Sequence, residues 1–145
     1  AAWKQNTSSK NIFFHGHVSH SNVPRYLHYF DILLLPNQHK VYAHGKGKID
    51  IGKWTSPLKV FEYMASRRPI LSSDLPVLKE VLTHEKNALL CTSDNVAEWV
   101  NALVRLRDDK VLCARLTDEA YRDFICNYTW CARAKKILIG TTTVS

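Results

Sequence analysis

The sequence predicts an α/β fold: a parallel sheet of the doubly wound kind with flanking helices. Three observations carry this. Short apolar runs of strand length alternate with segments whose apolar residues recur at helical spacing, the order that βαβ units produce. The run Asp31-Ile32-Leu33-Leu34-Leu35-Pro36 is apolar without alternation, as in a strand covered on both faces. Helix-start residues follow the strand ends, with Ser56 before Pro57 the clearest pair.

The elements follow in order along the chain. Residues 11–15 read as a short strand ending at Gly16. Pro24 with Val23, Tyr26, Leu27 and Phe30 predicts a short helix, and residues 31–36 the next strand. Residues 37–53 are polar, with Gly45, Gly47 and Gly52 among lysines, and read as a long loop. Structureless loops of that length inside a compact domain are usually functional. Ser56 and Pro57 then open a helix with Leu58, Phe61 and Ala65 as its buried stripe. Residues 69–73 form a strand, with Ser73 or Asp74 capping a helix through Val77, Val81 and Leu82. A fourth strand covers residues 87–91. Ser93 or Asp94 caps a helix whose core stripe is Val96, Trp99, Val100, Leu103 and Leu106. Helices at 110–124 and 130–138 follow, the latter capped by Thr129, with 139–145 as a tail. Doubly wound sheets bind ligands beyond the carboxyl ends of their strands. The loops to inspect are therefore 15–22, 37–56, 72–75 and 92–95.

Composition bounds the function classes. The 145 residues suffice for one domain with its own core, and 46% are hydrophobic. No segment approaches the roughly 20 apolar residues needed to span a bilayer. The cysteines Cys91, Cys113, Cys126 and Cys131 form no CxxC and are too sparse for a disulfide scaffold. They read as reduced, buried thiols of a cytoplasmic protein. A net charge of +7 favours anionic partners: a phosphorylated substrate, nucleic acid, or the headgroups of a membrane touched peripherally. No RNA-binding signature or aromatic series supports the nucleic-acid option. The chain begins at Ala1 and its one methionine is Met64, which reads as a piece of a longer polypeptide.

The chemistry concentrates in residues 53–62. A helix N-terminus presents unpaired amides and partial positive charge, and so binds phosphate groups. Pro57 removes one donor and leaves the amides of Leu58 and Lys59, with the Ser56 hydroxyl either capping the helix or donating to a phosphate. Lys59 adds a full charge where the dipole disfavours it unless an anion is present. Glu62 is placed to accept from vicinal hydroxyls. The blander reading is a capped helix with an exposed Lys59–Glu62 pair, and the residues alone favour it. His15, His17 and His20 invite a metal site, yet no carboxylate or cysteine lies near them in sequence, and no metal is expected. Lys40, Lys46, Lys48 and Lys53 line the cleft, meet anionic lipid, or are simply solvated.

Order along the chain adds to this. Thr55-Ser56-Pro57-Leu58-Lys59-Val60-Phe61-Glu62 runs into Tyr63-Met64-Ala65-Ser66, and Arg68-Pro69-Ile70-Leu71-Ser72-Ser73-Asp74-Leu75-Pro76 follows. Lys79-Glu80-Val81-Leu82 and Asn87-Ala88-Leu89-Leu90 come next. Phe13-Phe14-His15-Gly16 and residues 31–36 precede the set, and Tyr128-Thr129-Trp130 with Arg133-Ala134 closes it. From about residue 11 to 138 the series resembles the C-terminal, Rossmann-like donor domain of retaining GT-B glycosyltransferases, more narrowly the group-1 family. The resemblance implies that Ser56, Leu58 and Lys59 hold the donor diphosphate and Glu62 the ribose, with Gly16, His17, Trp54 and Thr55 lining the cleft.

Two positions depart from the family pattern. Trp54 stands where the family's first glutamate touches the donor sugar, and Arg68 where a glycine usually precedes Pro69, narrowing a helix-to-strand turn. Residues 1–145 therefore read as a single, partial donor-binding domain. In the family, two further strands with a phosphate-clamping basic pair precede the segment matching Asn11, and lie between the strands at Ile12 and Ile32. A whole N-terminal domain binds the acceptor glycan, lipid or small molecule. The implied function is transfer of a hexose-type sugar from a UDP- or GDP-sugar, with no cofactor and no transfer by this piece alone. The rival is a non-catalytic glycosyltransferase-like module whose basic face binds a partner or anionic membrane surface, favoured by Trp54.

Overall fold

Three short parallel strands in the order β1-β2-β3 organise the fold. The computed structural model describes residues 10–38 and 58–141, with side chains through Leu138. Trp54, Thr55, Ser56, Pro57 and the lysines between 40 and 53 lie outside the described residues. A 3-10 turn at His20–Asn22 leads into α1 (Val23–Tyr29) and β1 (Leu33–Leu35). Then come α2 (Leu58–Ala65), β2 (Ile70–Ser73), α3 (Pro76–Lys79) and β3 (Leu89–Cys91). The chain closes with α4 (Val96–Asp108), α5 (Lys110–Asp123), a wide π-type turn at Phe124–Tyr128, and α6 (Trp130–Thr141). Leu34 stands opposite Leu71, and Ser72 opposite Leu90.

Alternation along the strands sends side chains into two cores, one on each sheet face. Leu35, Ile70 and Leu90 meet Val60 and Met64 of α2, Leu75, Leu78 and Leu82 around α3, and Ala120. Leu71, Leu89 and Cys91 meet Leu106 of α4 with Leu112 and Leu116 of α5. Each fully buried side chain of this size contributes about 1.5–3 kcal/mol. Buried Asn87 is satisfied threefold: it accepts from the Thr83 amide at 2.7 Å and donates to Val81 O at 3.1 Å and Asp123 Oδ2 at 2.9 Å. It joins the turn before β3 to the end of α5.

The predicted α/β class holds, with several local corrections. Residues 11–15 are not a strand; Ile12, Phe13 and Phe14 are exposed. A strand needs a neighbour to complete its ladder, and among the described residues none stands between this segment and β1, the sheet edge. For the same reason β1 is not covered on both faces: Leu33 and Leu35 are buried while Leu34 is 41% exposed. The fully buried residues of α2 are Val60 and Met64, against the sheet; of the predicted stripe Phe61 packs partly buried on the same core, while Leu58 and Ala65 are exposed. On α4 only Leu106 is fully buried; Trp99 and Leu103 are partly covered, whereas Val96 and Val100 face solvent.

The predicted caps also shift. Asn95 rather than Ser93 or Asp94 caps α4, accepting from the Glu98 amide at 3.3 Å. Leu75 occupies the N-cap of α3 with no side-chain cap, because Pro76 supplies the start. Thr129 caps α6 as predicted, through the Ala132 amide at 3.1 Å. Of the cysteines, Cys91 is buried, Cys113 half-buried, and Cys126 and Cys131 exposed; all four are free thiols. No helix among the described residues is long and apolar enough to cross a membrane.

Candidate functional site

β1 and β2 are parallel, and α2 runs back between them, from the carboxyl edge of the sheet to the amino end of β2. Its N-terminus therefore faces the edge at which such sheets bind ligands. No acidic residue lies in the first turn of α2. Leu58 is 70% exposed, Lys59 is also exposed, and Lys59 pairs with no carboxylate among the described residues. The Lys59–Glu62 pair of the blander reading does not form.

Glu62 faces another element instead. Its Oε1 stands 3.8 Å from His20 Nε2, and both side chains reach solvent. The two mark the mouth of a cleft of about 210 Å³ between α1 and α2, walled by Val23, Pro24, Leu27 and Ser66. Ser66 Oγ is committed to Tyr63 O at 2.7 Å. Burial, then the Glu62 charge, pushes the neighbouring Tyr63 phenol up, so it remains a neutral hydroxyl. A half-exposed carboxylate on an apolar wall is suited to accept from hydroxyls of a ligand.

The other strand ends are tied to each other. Ser73 Oγ donates to Leu35 O at 3.2 Å and Asn37 O at 2.7 Å, pinning the carboxyl end of β1 to that of β2. The Asp74 amide donates to Cys91 O at 2.7 Å, and the Asp74 carboxylate holds Lys79 at 2.7 Å. The Thr92 amide donates to Glu98 Oε2, and Trp99 Nε1 to Thr92 O, each at 2.9 Å. These contacts tie together the strand ends at the rim of the site.

Of the predicted site residues, Leu58, Lys59 and Glu62 share α2, while Gly16 and His17 are exposed on the segment leading to α1. Gly16 adopts a φ of +73°, the conformation a glycine allows without strain. The three histidines disperse: the His15 ring meets Tyr26 edge-on at 5.8 Å, and His20 turns to Glu62. Among the described residues no three metal-ligating side chains gather. Sequence reasoning named His20 only as one of three histidines weighed for a metal, not as the partner of Glu62. Only the packing of α1 on α2 separates His20 from its two neighbours.

Comparison with protein families places this geometry. Residues 1–109 match the family described as glycosyl transferases, group 1. The chain belongs to that family. Solved structures agree on the fold. The C-terminal domain of a group 1 family glycosyl transferase, LpcC, from Francisella tularensis superposes with a TM-score of 0.63 at 21% identity, covering 89% of this chain and 60% of that one. Sucrose-phosphate synthase from Thermosynechococcus elongatus gives 0.67 at 18% identity, over 92% of this chain and 31% of that one. Anabaena HepE, solved in complex with UDP and glucose, gives 0.68 at 13% identity, over 94% and 33%. This glycosyltransferase chain thus has the Rossmann-like fold of the GT-B C-terminal domain, and spans less than two thirds of each of these relatives. Comparison with curated proteins finds no match.

Proposed function

We propose that the chain is the donor-binding portion of a retaining glycosyltransferase that takes a hexose-type sugar from UDP or GDP to an acceptor. The observation carrying this reading is the first turn of α2: Lys59, which pairs with no carboxylate among the described residues, at the positive end of a helix, one turn before a half-exposed Glu62. An anionic ligand at that helix end removes the conflict between Lys59 and the dipole. Ser56 and the amides of Leu58 and Lys59 hold the diphosphate, and Glu62 accepts from the ribose hydroxyls. On this reading Gly16, His17, Trp54 and Thr55 are assigned to the same donor site by the family resemblance. In the reaction the bond from the anomeric carbon to the diphosphate oxygen breaks and one to an acceptor oxygen forms on the same face. The helix amides and Lys59 stabilise charge on the departing diphosphate, and the rest is positioning. The acceptor is held by residues beyond this domain.

The test is a titration of the isotope-labelled chain with millimolar UDP or GDP, followed by heteronuclear NMR. Shifts concentrated at residues 58–62, weakened in Glu62→Ala, are expected; an unperturbed α2 refutes the reading. Sedimentation with anionic liposomes in the absence of any nucleotide binding favours the interaction-module alternative instead, for which Trp54 in place of an acid is the supporting feature.

A further inference from the structure

At the opposite end of the sheet a second, larger cleft opens. It encloses about 880 Å³ at the amino ends of β1 and β2, beside the end of α4 and the start of α5. Arg67, Arg68, Arg107 and Lys110 contribute to its wall, with Asp31 and Asp118 at the same surface. Arg107 is neutralised by Asp108, which it grips at 2.6 Å and 2.8 Å. The other three cations differ: among the described residues none of Arg67, Arg68 and Lys110 pairs with a carboxylate.

Two of the three are held in place by contacts that leave their charge unanswered. The Arg67 guanidinium lies 3.7 Å from the centroid of the Tyr121 ring. Arg68 Nη2 donates to His28 O at 2.5 Å, a neutral acceptor. Arg68 Nε is the one buried side-chain nitrogen or oxygen among the described residues that lacks a hydrogen-bond partner. Buried donors are almost always satisfied, so an orphan beside a cleft marks a place where an acceptor is wanted. Lys110 sits in the first turn of α5, next to the capping Asp109, and forms no ion pair among the described residues. Arginines fixed by a ring and a carbonyl, joined by a helix-start lysine, make a prearranged oxyanion receptor.

We infer that this cleft binds the phosphate group of a small phosphomonoester, at a site separate from α2. Arg67, Arg68 and Lys110 take the phosphate oxygens, while Asp31 and Asp118 accept from hydroxyls on the rest of the molecule. The acids also make a bare polyanion a poor fit. The site lies at the amino ends of β1 and β2, and the start of α2 at the carboxyl edge of the sheet, so a phosphate here and a diphosphate there do not compete.

The experiment uses the isotope-labelled full chain, titrated with glycerol 3-phosphate and with inorganic phosphate while sodium chloride holds the ionic strength constant. Saturable amide shifts at Arg67, Arg68 and Lys110, with residues 58–62 unmoved, are expected. Arg67→Gln and Lys110→Gln each raise the dissociation constant about tenfold, as loss of one charge-assisted bond should. Shifts that do not saturate, or that spread evenly over surface lysines and arginines, overturn the inference. Circular dichroism checks that each variant is folded; should one not be, the pattern in the unmodified chain decides. The same spectra report α2, so failure at either site is seen independently of the other.

Discussion

Arg67 shows what one residue can conceal in sequence. The departure from the family pattern directs attention to Arg68, the residue before Pro69, yet the left-handed backbone falls at Arg67, with a φ of 54°. A non-glycine residue there costs about 1 kcal/mol, and an exposed cation–π contact returns about 0.5–1 kcal/mol. Arg67→Gly should therefore leave stability nearly unchanged, whereas Arg67→Ala, which keeps the strain and loses Tyr121, should lose about 1 kcal/mol in urea unfolding. Equal losses in both would show that the ring contact outweighs the backbone. Thiols separate in the same way. Burial, then the charge of Glu98, pushes the Cys91 thiol up to about 11, and its Sγ lies 3.7 Å from Glu98 O. Cys126 and Cys131 should react with a disulfide reagent in the native protein and Cys91 only after unfolding; fast native reaction of Cys91 would contradict its burial. The sequence offered all four as equal because burial is decided by partners far along the chain. Lys59 and Glu62 were legible as chemistry, since a helix start and a spacing are local.

At the scale of the element, strands and helix positions were readable and helix faces less so. The continuous apolar runs became β1, β2 and β3, trimmed at their ends, because hydrophobic runs are local signals. Which stripe of α2 or α4 is buried depends on where the sheet lies, and Val60 with Met64 took the fully buried places of α2. Caps follow the same logic. Asp109 accepts from the Leu112 amide at 2.8 Å at the start of α5, whereas Ser93 caps nothing. Asp109→Ala should lose about 1 kcal/mol and Ser93→Ala close to none, read by denaturant midpoint. The Arg105–Glu85 ion pair ties α4 to the turn before β3. Its hydrogen bond and charge make Arg105 of α4 hold the Glu85 carboxyl below its ordinary range, with His84 and Arg115 adding to this. A depressed folded-state value means the contribution is full above the ordinary carboxylate range and fades as pH falls through it. Glu85→Gln should flatten that part of the acid limb of a stability–pH curve; an unchanged limb would show that this exposed pair contributes nothing measurable.

For the whole molecule, the order of motifs mattered more than any one of them. The segments around Gly16, Glu62, Asp74 and Asn87 all fall within residues 1–109, which match the group 1 family, and the parallel sheet has a core on each face. Sheet closure did not follow. Strand pairing is a long-range property, so residues 11–15 looked like a strand though they join no ladder among the described residues. Among the described residues one cleft, between α1 and α2, carries Glu62, and another, at the amino ends of β1 and β2, carries Arg67 and Arg68. On the proposed function, the opening at α2 receives a nucleotide through its ribose. Affinities of UDP and of its 2′,3′-dideoxy analogue for the chain, measured by calorimetry with and without Glu62→Ala, address it directly. Hydrogen bonds to a carboxylate are worth about 1.5–3 kcal/mol, so the unmodified chain should prefer UDP at least about tenfold and Glu62→Ala should erase that preference. Equal binding of the two nucleotides by the unmodified chain, or a preference that survives in Glu62→Ala, would contradict it.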